Sequence, residues 1–182
     1  TLALLAEVPY RDLRVVDIGR NAGTSPATFY QYFPDVEAAV LALTEAMVDE
    51  GRRTLRDLVT EPDWESPEAA RALADGFLAF FEEHQSLLRV VDLVALEGDQ
   101  RFRAQRIRLL NGVFLALHEL AYQAHSAGRT APGVEPGGAA AVLTTMLAHV
   151  SAHQPGYEAW GVAREALAAT MAAVIDWSVR GA

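Results

Sequence analysis

The sequence contains no cysteine and no lysine, and it has no long uninterrupted run of apolar residues. Without cysteine, neither a disulfide framework nor a thiolate metal site is available. No apolar stretch reaches the roughly 18 to 20 residues that a membrane-crossing helix requires. The opening residues 1–10 are apolar but lack a basic leader and a small-residue cleavage site, so no secretion signal is predicted. These absences predict a cytoplasmic protein with no membrane partner.

Positive charge is also scarce. Fifteen arginines stand against 24 acidic residues, and the formal net charge is −9 at pH 7. Residues 1–45 alone hold three arginines and six acidic residues. A protein that coats nucleic acid without sequence preference needs an excess of positive charge, so the composition disfavours that class. The acidic first segment is the main sequence evidence against any DNA binding.

Residues 14–33 predict two short helices joined by a tight turn. Residues 15–22 form a helix-length run with apolar positions, and Gly23 follows where the chain leaves that helix. A second helix starts at once, because the Ser25 hydroxyl can cap it and Pro26 suits its first position. This arrangement is typical of a helix-turn-helix.

The second helix has a buried face and an outer face. Phe29 and Phe33 are four residues apart, so their rings point the same way. The outer side of the helix carries a mixture of small, polar and tyrosine side chains: Ala27, Thr28, Tyr30, Gln31 and Tyr32. A polar face flanked by aromatic residues is suited to reading a DNA groove.

The rest of the chain is predicted to be helical as well, since no apolar and polar alternation is long enough for a strand. A short helix over residues 2–8 is expected to brace the helix-turn-helix and to lack its beginning. Six further helices are predicted after the helix-turn-helix, over residues 35–59, 66–85, 87–96, 99–127, 138–153 and 157–180. Pro155 and Gly156 are predicted to separate the last two helices.

Residues 15–33 resemble the DNA-binding signature of the TetR family of transcriptional repressors. In that signature an apolar helix is followed by Ala-Gly, a capping Ser, Thr, an aromatic residue, Tyr, a variable residue, His or Tyr, and Phe. The matching residues are Ala22, Gly23, Ser25, Thr28, Phe29, Tyr30, Tyr32 and Phe33. The variant TFYQYFP resembles the branch that contains the ethionamide-resistance repressor.

The resemblance implies an all-α fold with two domains. A three-helix helix-turn-helix domain is expected at residues 1–44, and a six-helix ligand-binding and dimerisation bundle at residues 45–182. One departure concerns the start of the fourth helix, where the family usually places a lysine that meets a phosphate and this chain has Val36. The loss of that contact predicts weaker and less salt-sensitive DNA binding.

The resemblance also implies specific roles in DNA binding. Tyrosine and threonine hydroxyls contact phosphates, whereas Gln31 pairs with adenine and Ala27 touches a thymine methyl. Because one helix reads few base pairs, two copies must place their helices in successive major grooves. The predicted DNA-binding residues are Ser25, Pro26, Ala27, Thr28, Tyr30, Gln31 and Tyr32.

A ligand pocket and a dimer face are predicted in the later helices. The pocket combines aromatic and apolar residues with a few polar anchors: Phe77, Phe81, Asn111, Phe114, His118, Thr145, Met146, His149 and Trp177. The alternative is that these aromatic residues are plain core. Small-residue faces let helices of two chains approach closely, and the predicted dimer residues are Leu143, Leu147, Ala166, Ala169, Thr170 and Ala173.

No enzyme, metal or cofactor is predicted. The sequence has no Glu-x-x-His pair for a di-iron site and no Gly-rich phosphate loop, although a Ser or His site stays open. His149 and His153 have the i, i+4 spacing of metal ligands but no evident third ligand. The predicted function is a homodimeric repressor that binds a palindromic DNA operator and is released by a small, largely apolar effector. The alternative is a helical dimeric ligand sensor, or a protein-interaction module, that does not bind DNA.

Overall fold

The computed structural model describes residues 2–130 and 132–180, and its regular elements there are all helices. The α-helices are α1 Leu2–Glu7, α2 Val15–Asn21, α3 Pro26–Tyr32, α4 Val36–Thr60, α5 Ala69–Glu83, α6 Gln85–Leu96, α7 Gln100–Ser126, α8 Pro136–Ala159 and α9 Arg164–Arg180. A 3₁₀ turn spans Tyr10–Asp12. The predicted all-α class is confirmed. Residues 1, 131, 181 and 182, which belong to the predicted domains, lie outside the described ranges.

Local capping chemistry sets the beginnings of several helices. The Ser25 hydroxyl accepts the Thr28 amide at 3.2 Å, and the Asp35 carboxylate accepts the Ala38 amide at 2.7 Å. Each bond satisfies an amide that has no partner within its own helix. The starts of α3 and α4 therefore agree with the prediction from the sequence to within one residue.

The predicted break at Pro155 and Gly156 is wrong. Helix α8 continues through both residues to Ala159, and the chain turns instead at Gly161, whose φ is +80°. A proline removes one helix hydrogen bond, but Pro155 lies four residues from the helix end, where little of the helix depends on that bond. Helix α8 consequently spans 24 residues.

The chain forms two compact units. The first contains the described residues up to Glu50 together with His84–Ile107. Within it α2 packs on α3, and α1 packs on α6. Helix α4 passes from the first unit to the second after Glu50, and α7 does so after Ile107. The predicted domain division after residue 44 remains a prediction.

The second unit is organised around α5. This helix packs on both α8 and α9, and those two helices also pack on each other. Phe77 and Leu73 of α5, Leu147 of α8 and Ile175 of α9 are completely buried in the core of this unit. In the part of the chain that the structure describes, no helix combines the length and the apolarity needed to cross a membrane.

Candidate nucleic-acid interface

A close backbone approach fixes the turn between α2 and α3. The Thr24 amide donates a 2.8 Å hydrogen bond to the Gly19 carbonyl. A Cβ atom at Gly19 would lie only 2.9 Å from the Thr24 carbonyl oxygen, so this position has room for glycine alone. Gly23, with φ of +65°, then lets the chain leave α2. The sequence indicates that the turn needs glycine at position 23, whereas only the structure shows that position 19 also needs glycine.

Helix α3 is anchored through one aromatic residue. Phe29 is 7% exposed, and its ring lies 5.6 Å from the rings of both Tyr30 and Phe33. The Tyr30 ring meets Phe29 edge to face, the arrangement that the charge distribution of aromatic rings favours. This contact orients the side of α3 that lies opposite Phe29 toward solvent.

Six of the seven predicted DNA-binding residues are exposed, and Thr28 is half-buried. Tyr30 and Tyr32 are 58% and 75% exposed, whereas Thr28 is half-buried because its hydroxyl lies 3.0 Å from that of Ser25. The remaining members are exposed: Ser25, Pro26, Ala27 and Gln31. The structure therefore presents a strip of hydroxyls with one amide, without any charged side chain on α3.

The arginines near this surface are paired with acidic residues. Asp17 lies 2.9 Å from Arg14 and 3.9 Å from Arg20, and it is the partner of both. Arg11 forms an ion pair with Glu97. Since any bound anion would have to compete with these carboxylates, the cations are less available than their number indicates.

An open groove of about 670 Å³ lies beside α3. Its wall combines the 3₁₀ turn, the start of α2, Tyr30 and the start of α4. The lining residues are Tyr10, Arg11, Leu13, Arg14, Val15, Val16, Tyr30, Asp35, Val36 and Glu37. Val36 is half-buried in this wall, so the start of α4 contributes an apolar side chain to the groove.

A charged cluster connects the start of α4 to the turn between α6 and α7. Arg101 contacts Glu37 and lies 2.7 Å from Asp99. Hydrogen bonds from Arg101 hold the pKa of the Asp99 carboxyl well below its usual range, whereas burial and the adjacent Asp99 raise the pKa of Glu37. Burial and Glu37 also raise the pKa of the Tyr10 hydroxyl. The cluster therefore joins Asp99 of the α6–α7 turn to Glu37, which lines the groove.

Only some of the residues predicted to line the ligand pocket lie in the interior of the chain. The stacked rings of Phe77 and Phe81 have centroids 6.1 Å apart in the core, and those of Phe114 and His118 are 6.3 Å apart. Met146 is half-buried. Four predicted residues lie at the surface of the isolated chain and do not face its interior: Asn111, Thr145, His149 and Trp177.

The predicted dimer residues also fall into a buried group and an exposed group. Leu143 and Leu147 are 1% and 0% exposed within one chain, so a second chain has no access to them, and their assignment to an interface is corrected. The reason is the rotation of α8, which directs these leucines toward α5 and α9. The four α9 residues are exposed: Ala166, Ala169, Thr170 and Ala173.

Two hydroxyls that the sequence analysis did not single out lie on the inner face of α8. Thr144 and Ser151 are 7% and 6% exposed, and neither hydroxyl has a hydrogen-bond partner among the described residues. Buried hydroxyls normally find partners, so these two hydroxyls are available for hydrogen bonds to a bound polar group. The sequence contained one signal that could have identified the pair: a separation of seven residues places both hydroxyls on one face of a helix.

Family models match both parts of the chain. The model described as "Tetracyclin repressor-like, C-terminal domain" matches residues 55–182, and the one described as "Bacterial regulatory proteins, tetR family" matches residues 1–43. The predicted resemblance is thus confirmed over most of the sequence.

Curated relatives agree with this result. The HTH-type transcriptional regulator EthR of Mycobacterium tuberculosis, and that of Mycobacterium bovis, are 33% identical to this chain over 87 residues. The match covers 47% of this chain. The chain spans about two-fifths of the length of these relatives, since the match covers 40% of each. The predicted similarity to the branch of the ethionamide-resistance repressor is confirmed.

Solved structures share the fold over the whole length. The fatty acid degradation regulator FadR from Bacillus halodurans has a TM-score of 0.70 at 19% identity, with coverage of 99% of this chain and 91% of that protein. FadR from Bacillus subtilis, solved in complex with stearoyl-CoA, has a TM-score of 0.70 at 16% identity, with coverage of 100% and 95%. Together with the helix-turn-helix geometry and the family matches, this similarity shows that the chain belongs to the TetR family of bacterial transcriptional regulators.

Proposed function

We propose that this chain is a ligand-responsive repressor that binds a palindromic DNA operator as a homodimer. The observation that carries the proposal is the solvent-facing surface of α3, held in place by the buried Phe29 ring. Hydroxyls of Tyr30 and Tyr32 donate to phosphates, while Ala27 and Gln31 contact base edges. The alternative of a DNA-free sensor is favoured by the pairing of Arg14 and Arg20 with Asp17.

A second copy is required because the surface of one α3 offers few contacts and no cation. Two copies related by a two-fold axis can place their helices one turn of DNA apart. The exposed faces of α8 and α9 are suited to hold them there. These faces carry Val142, Val174 and Trp177, which are 64%, 36% and 50% exposed in the isolated chain, beside small residues such as Ala169. Exposed apolar side chains of this kind mark a protein contact.

The ligand is proposed to occupy the core of the second unit between α5 and α8. Phe77 and Phe81 supply apolar surface, and the unpaired hydroxyls of Thr144 and Ser151 supply hydrogen bonds for one polar group. The similarity to a regulator solved with stearoyl-CoA supports a long apolar ligand with a polar end. Such a molecule matches the combination of rings and hydroxyls.

The protein has one conformation that binds DNA and one that does not. Release of DNA requires that the ligand have a higher affinity for the conformation that does not bind DNA. A preference of about 1.4 kcal/mol changes the equilibrium tenfold. The cluster of Glu37, Asp99 and Arg101 is the proposed mechanical connection in the first unit, because it joins the α6–α7 turn to the start of α4. A shift of that turn changes the position of α4, and with it the spacing of the two recognition helices.

The division between phosphate contact and base contact can be tested with two variants. Tyr30→Phe removes one hydroxyl and is expected to weaken binding to all DNA sequences by a similar factor, about fivefold. Gln31→Ala is expected to change the preference at one base pair, by about 1 to 3 kcal/mol. Titrations with the intergenic DNA beside the protein's own gene, and with single-base variants of it, measure both effects. Uniform effects from both substitutions would overturn the assignment.

Asp17→Asn is expected to strengthen binding to any DNA, because it releases Arg14 and Arg20 together. The slope of log affinity against log salt should steepen by up to about 1.8, which corresponds to two further phosphate contacts. The matched control is Asp12→Asn, which removes the same charge from an exposed residue of the 3₁₀ turn. An equal change in both variants would mean that net charge alone is responsible.

Ala169→Arg is expected to prevent dimerisation, since it places a charged side chain on the exposed small-residue face of α9. Sedimentation analysis should show one chain for this variant and two chains for the natural sequence, and operator binding should be lost with the dimer. Ala79→Arg on the exposed side of α5 is the control and should leave the dimer intact. A dimeric Ala169→Arg protein would exclude this face.

Thr144→Val tests the proposed ligand site, with stearoyl-CoA as the probe. Removal of an unpaired buried hydroxyl should raise the free energy of unfolding by about 1 kcal/mol, while binding of the probe should weaken. Thr145→Val, one residue away on the outer face, should change neither quantity appreciably. Urea denaturation and equilibrium titration give the two values. If both variants behave alike, the Thr144 hydroxyl has no special role.

A further inference from the structure

Helices α4 and α5 each contain a glycine that the helix backbone does not require. Gly51 lies within the 25 residues of α4, and Gly76 lies near the middle of α5. Both are helical, and neither has the positive φ that favours glycine. Glycine makes a helix less stable than alanine does, because it loses more conformational freedom on folding. Packing against a neighbouring helix is therefore the expected reason for both residues.

Each of these glycines receives a side chain from the other helix. A Cβ atom at Gly51 would lie 2.8 Å from Cε2 of Phe80, and one at Gly76 would lie 2.5 Å from Cδ1 of Leu58. Carbon atoms that are not bonded to each other do not approach so closely. Helix α4 thus accepts Phe80 from α5 and contributes Leu58 to α5. We call the four residues Gly51, Leu58, Gly76 and Phe80 the α4–α5 interlock.

The interlock joins the two helices at two levels. Gly51 and Leu58 are seven residues apart on α4, and Gly76 and Phe80 are four residues apart on α5. Each pair therefore lies on one face of its helix. Because the earlier residue of α4 meets the later residue of α5, the two helices run antiparallel here. Two contacts at separate levels restrict both sliding and tilting of one helix on the other.

The two contacts differ in stiffness. Phe80 is 6% exposed, and its ring centroid lies 6.1 Å from that of Phe81. A Cβ atom at Gly51 would also lie 2.9 Å from Cδ1 of Leu109, so the Phe80 ring is enclosed on that side as well. Leu58 is half-buried, and the end of its side chain is able to rotate away. The contact between Phe80 and Gly51 consequently sets the separation of the two helices.

The place of the interlock connects the proposed ligand site to α4. Phe81, which lines that site under the proposed function, meets the Phe80 ring at an interplanar angle of 69°. Gly51 is the first residue of α4 in the second unit, and the same helix begins at Val36 in the first unit. We propose that Phe80 is the positioning residue that makes α4 follow a displacement of α5. The inference rests on the proposed function and names the contact through which its regulation acts.

Close packing is the physical basis of this role. In a densely packed interior, a small shift on one side of a contact has to be accommodated on the other side. A gap between α5 and α4 would absorb the same shift. Because Gly51 has no side chain, the Phe80 ring lies directly against the backbone of α4, and such a gap does not exist there.

The first test needs no ligand. Gly51→Ala places a methyl group against Phe80 and displaces α4, so binding to the intergenic DNA beside the protein's own gene should weaken at least about fivefold. The matched control is Gly112→Ala, because a Cβ atom there would lie 3.4 Å from Cβ of Arg56, an ordinary contact with the same helix. This control should leave DNA binding unchanged and should not lower Tm. Fluorescence anisotropy and thermal unfolding give the two values.

A second substitution distinguishes displacement of α4 from a simple loss of stability. When Gly51→Ala is combined with Phe80→Leu, the shorter side chain makes room for the added methyl group. We expect the double variant to recover most of the DNA affinity that Gly51→Ala alone loses. A double variant without recovery, or an equal loss of affinity in Gly112→Ala, would overturn the inference.

The third measurement is the ratio of DNA affinities without and with saturating stearoyl-CoA. Phe80→Leu opens a gap beside Gly51, so the ratio should fall toward one, by at least about threefold. Ile175→Ala removes the same number of carbon atoms from a completely buried position of α9. This control should lower Tm and leave the ratio unchanged. An unchanged ratio in Phe80→Leu would show that the ring has only a structural role.

The natural chain separates failure of this inference from failure of the proposed function. If it does not bind the DNA, the proposed function is removed and the inference with it. If it binds the DNA but does not respond to stearoyl-CoA, the proposed effector is removed, and Gly51→Ala with its double variant still decides whether the interlock positions α4. If it responds to stearoyl-CoA while Gly51→Ala and Phe80→Leu have no effect, the interlock alone is overturned.

Discussion

The close approach of Gly19 to the Thr24 carbonyl is the constraint on which the accessible surface of α3 depends. It fixes the path of the turn, and the path of the turn sets the direction in which α3 leaves α2. Phe29 can then enter the core while Gln31 remains outside. A wider turn would rotate or displace α3, and the same side chains would no longer share one accessible face. Specific readout needs this backbone geometry before any side chain contributes.

Under the proposed function, the charges near α3 make DNA binding depend on the pairing of two chains. Arg11, Arg14 and Arg20 are paired with carboxylates, and Val36 adds an apolar side chain at the start of α4. Each copy therefore offers hydroxyl contacts of modest strength and little counterion release. Under the proposed function, two such weak contacts produce useful affinity only when they are held at the spacing of successive major grooves. The faces of α8 and α9 that set this spacing then control whether α3 binds DNA at all.

The sequence predicted the helices well because caps and breakers are local signals. Ser25 and Asp35 begin α3 and α4 as expected, whereas Pro155 did not end α8 because it lies close to a helix end where its lost hydrogen bond matters little. The rotation of α8 about its own axis was not predictable. Apolar and small side chains of α8 are distributed around its whole circumference. The hydrophobic pattern of the sequence therefore did not distinguish Thr144, which is buried, from Thr145, which is exposed. The errors in the pocket and dimer residues of α8 share that one cause.

Under the proposed function, helix α8 carries the ligand-binding hydroxyls on one side and the face for chain pairing on the other. Its inner face carries the unpaired hydroxyls of Thr144 and Ser151, and its outer face carries Val142 and His149. A helix moves as a nearly rigid rod, so a ligand that displaces the inner face displaces the outer face with it. Coupling between sites is reciprocal, which means that whatever stabilises chain pairing on the outer side must also change the affinity for the ligand on the inner side. Under the proposed function, an apolar effector on the inner side and chain pairing on the outer side would therefore act on the same equilibrium, through opposite sides of one helix.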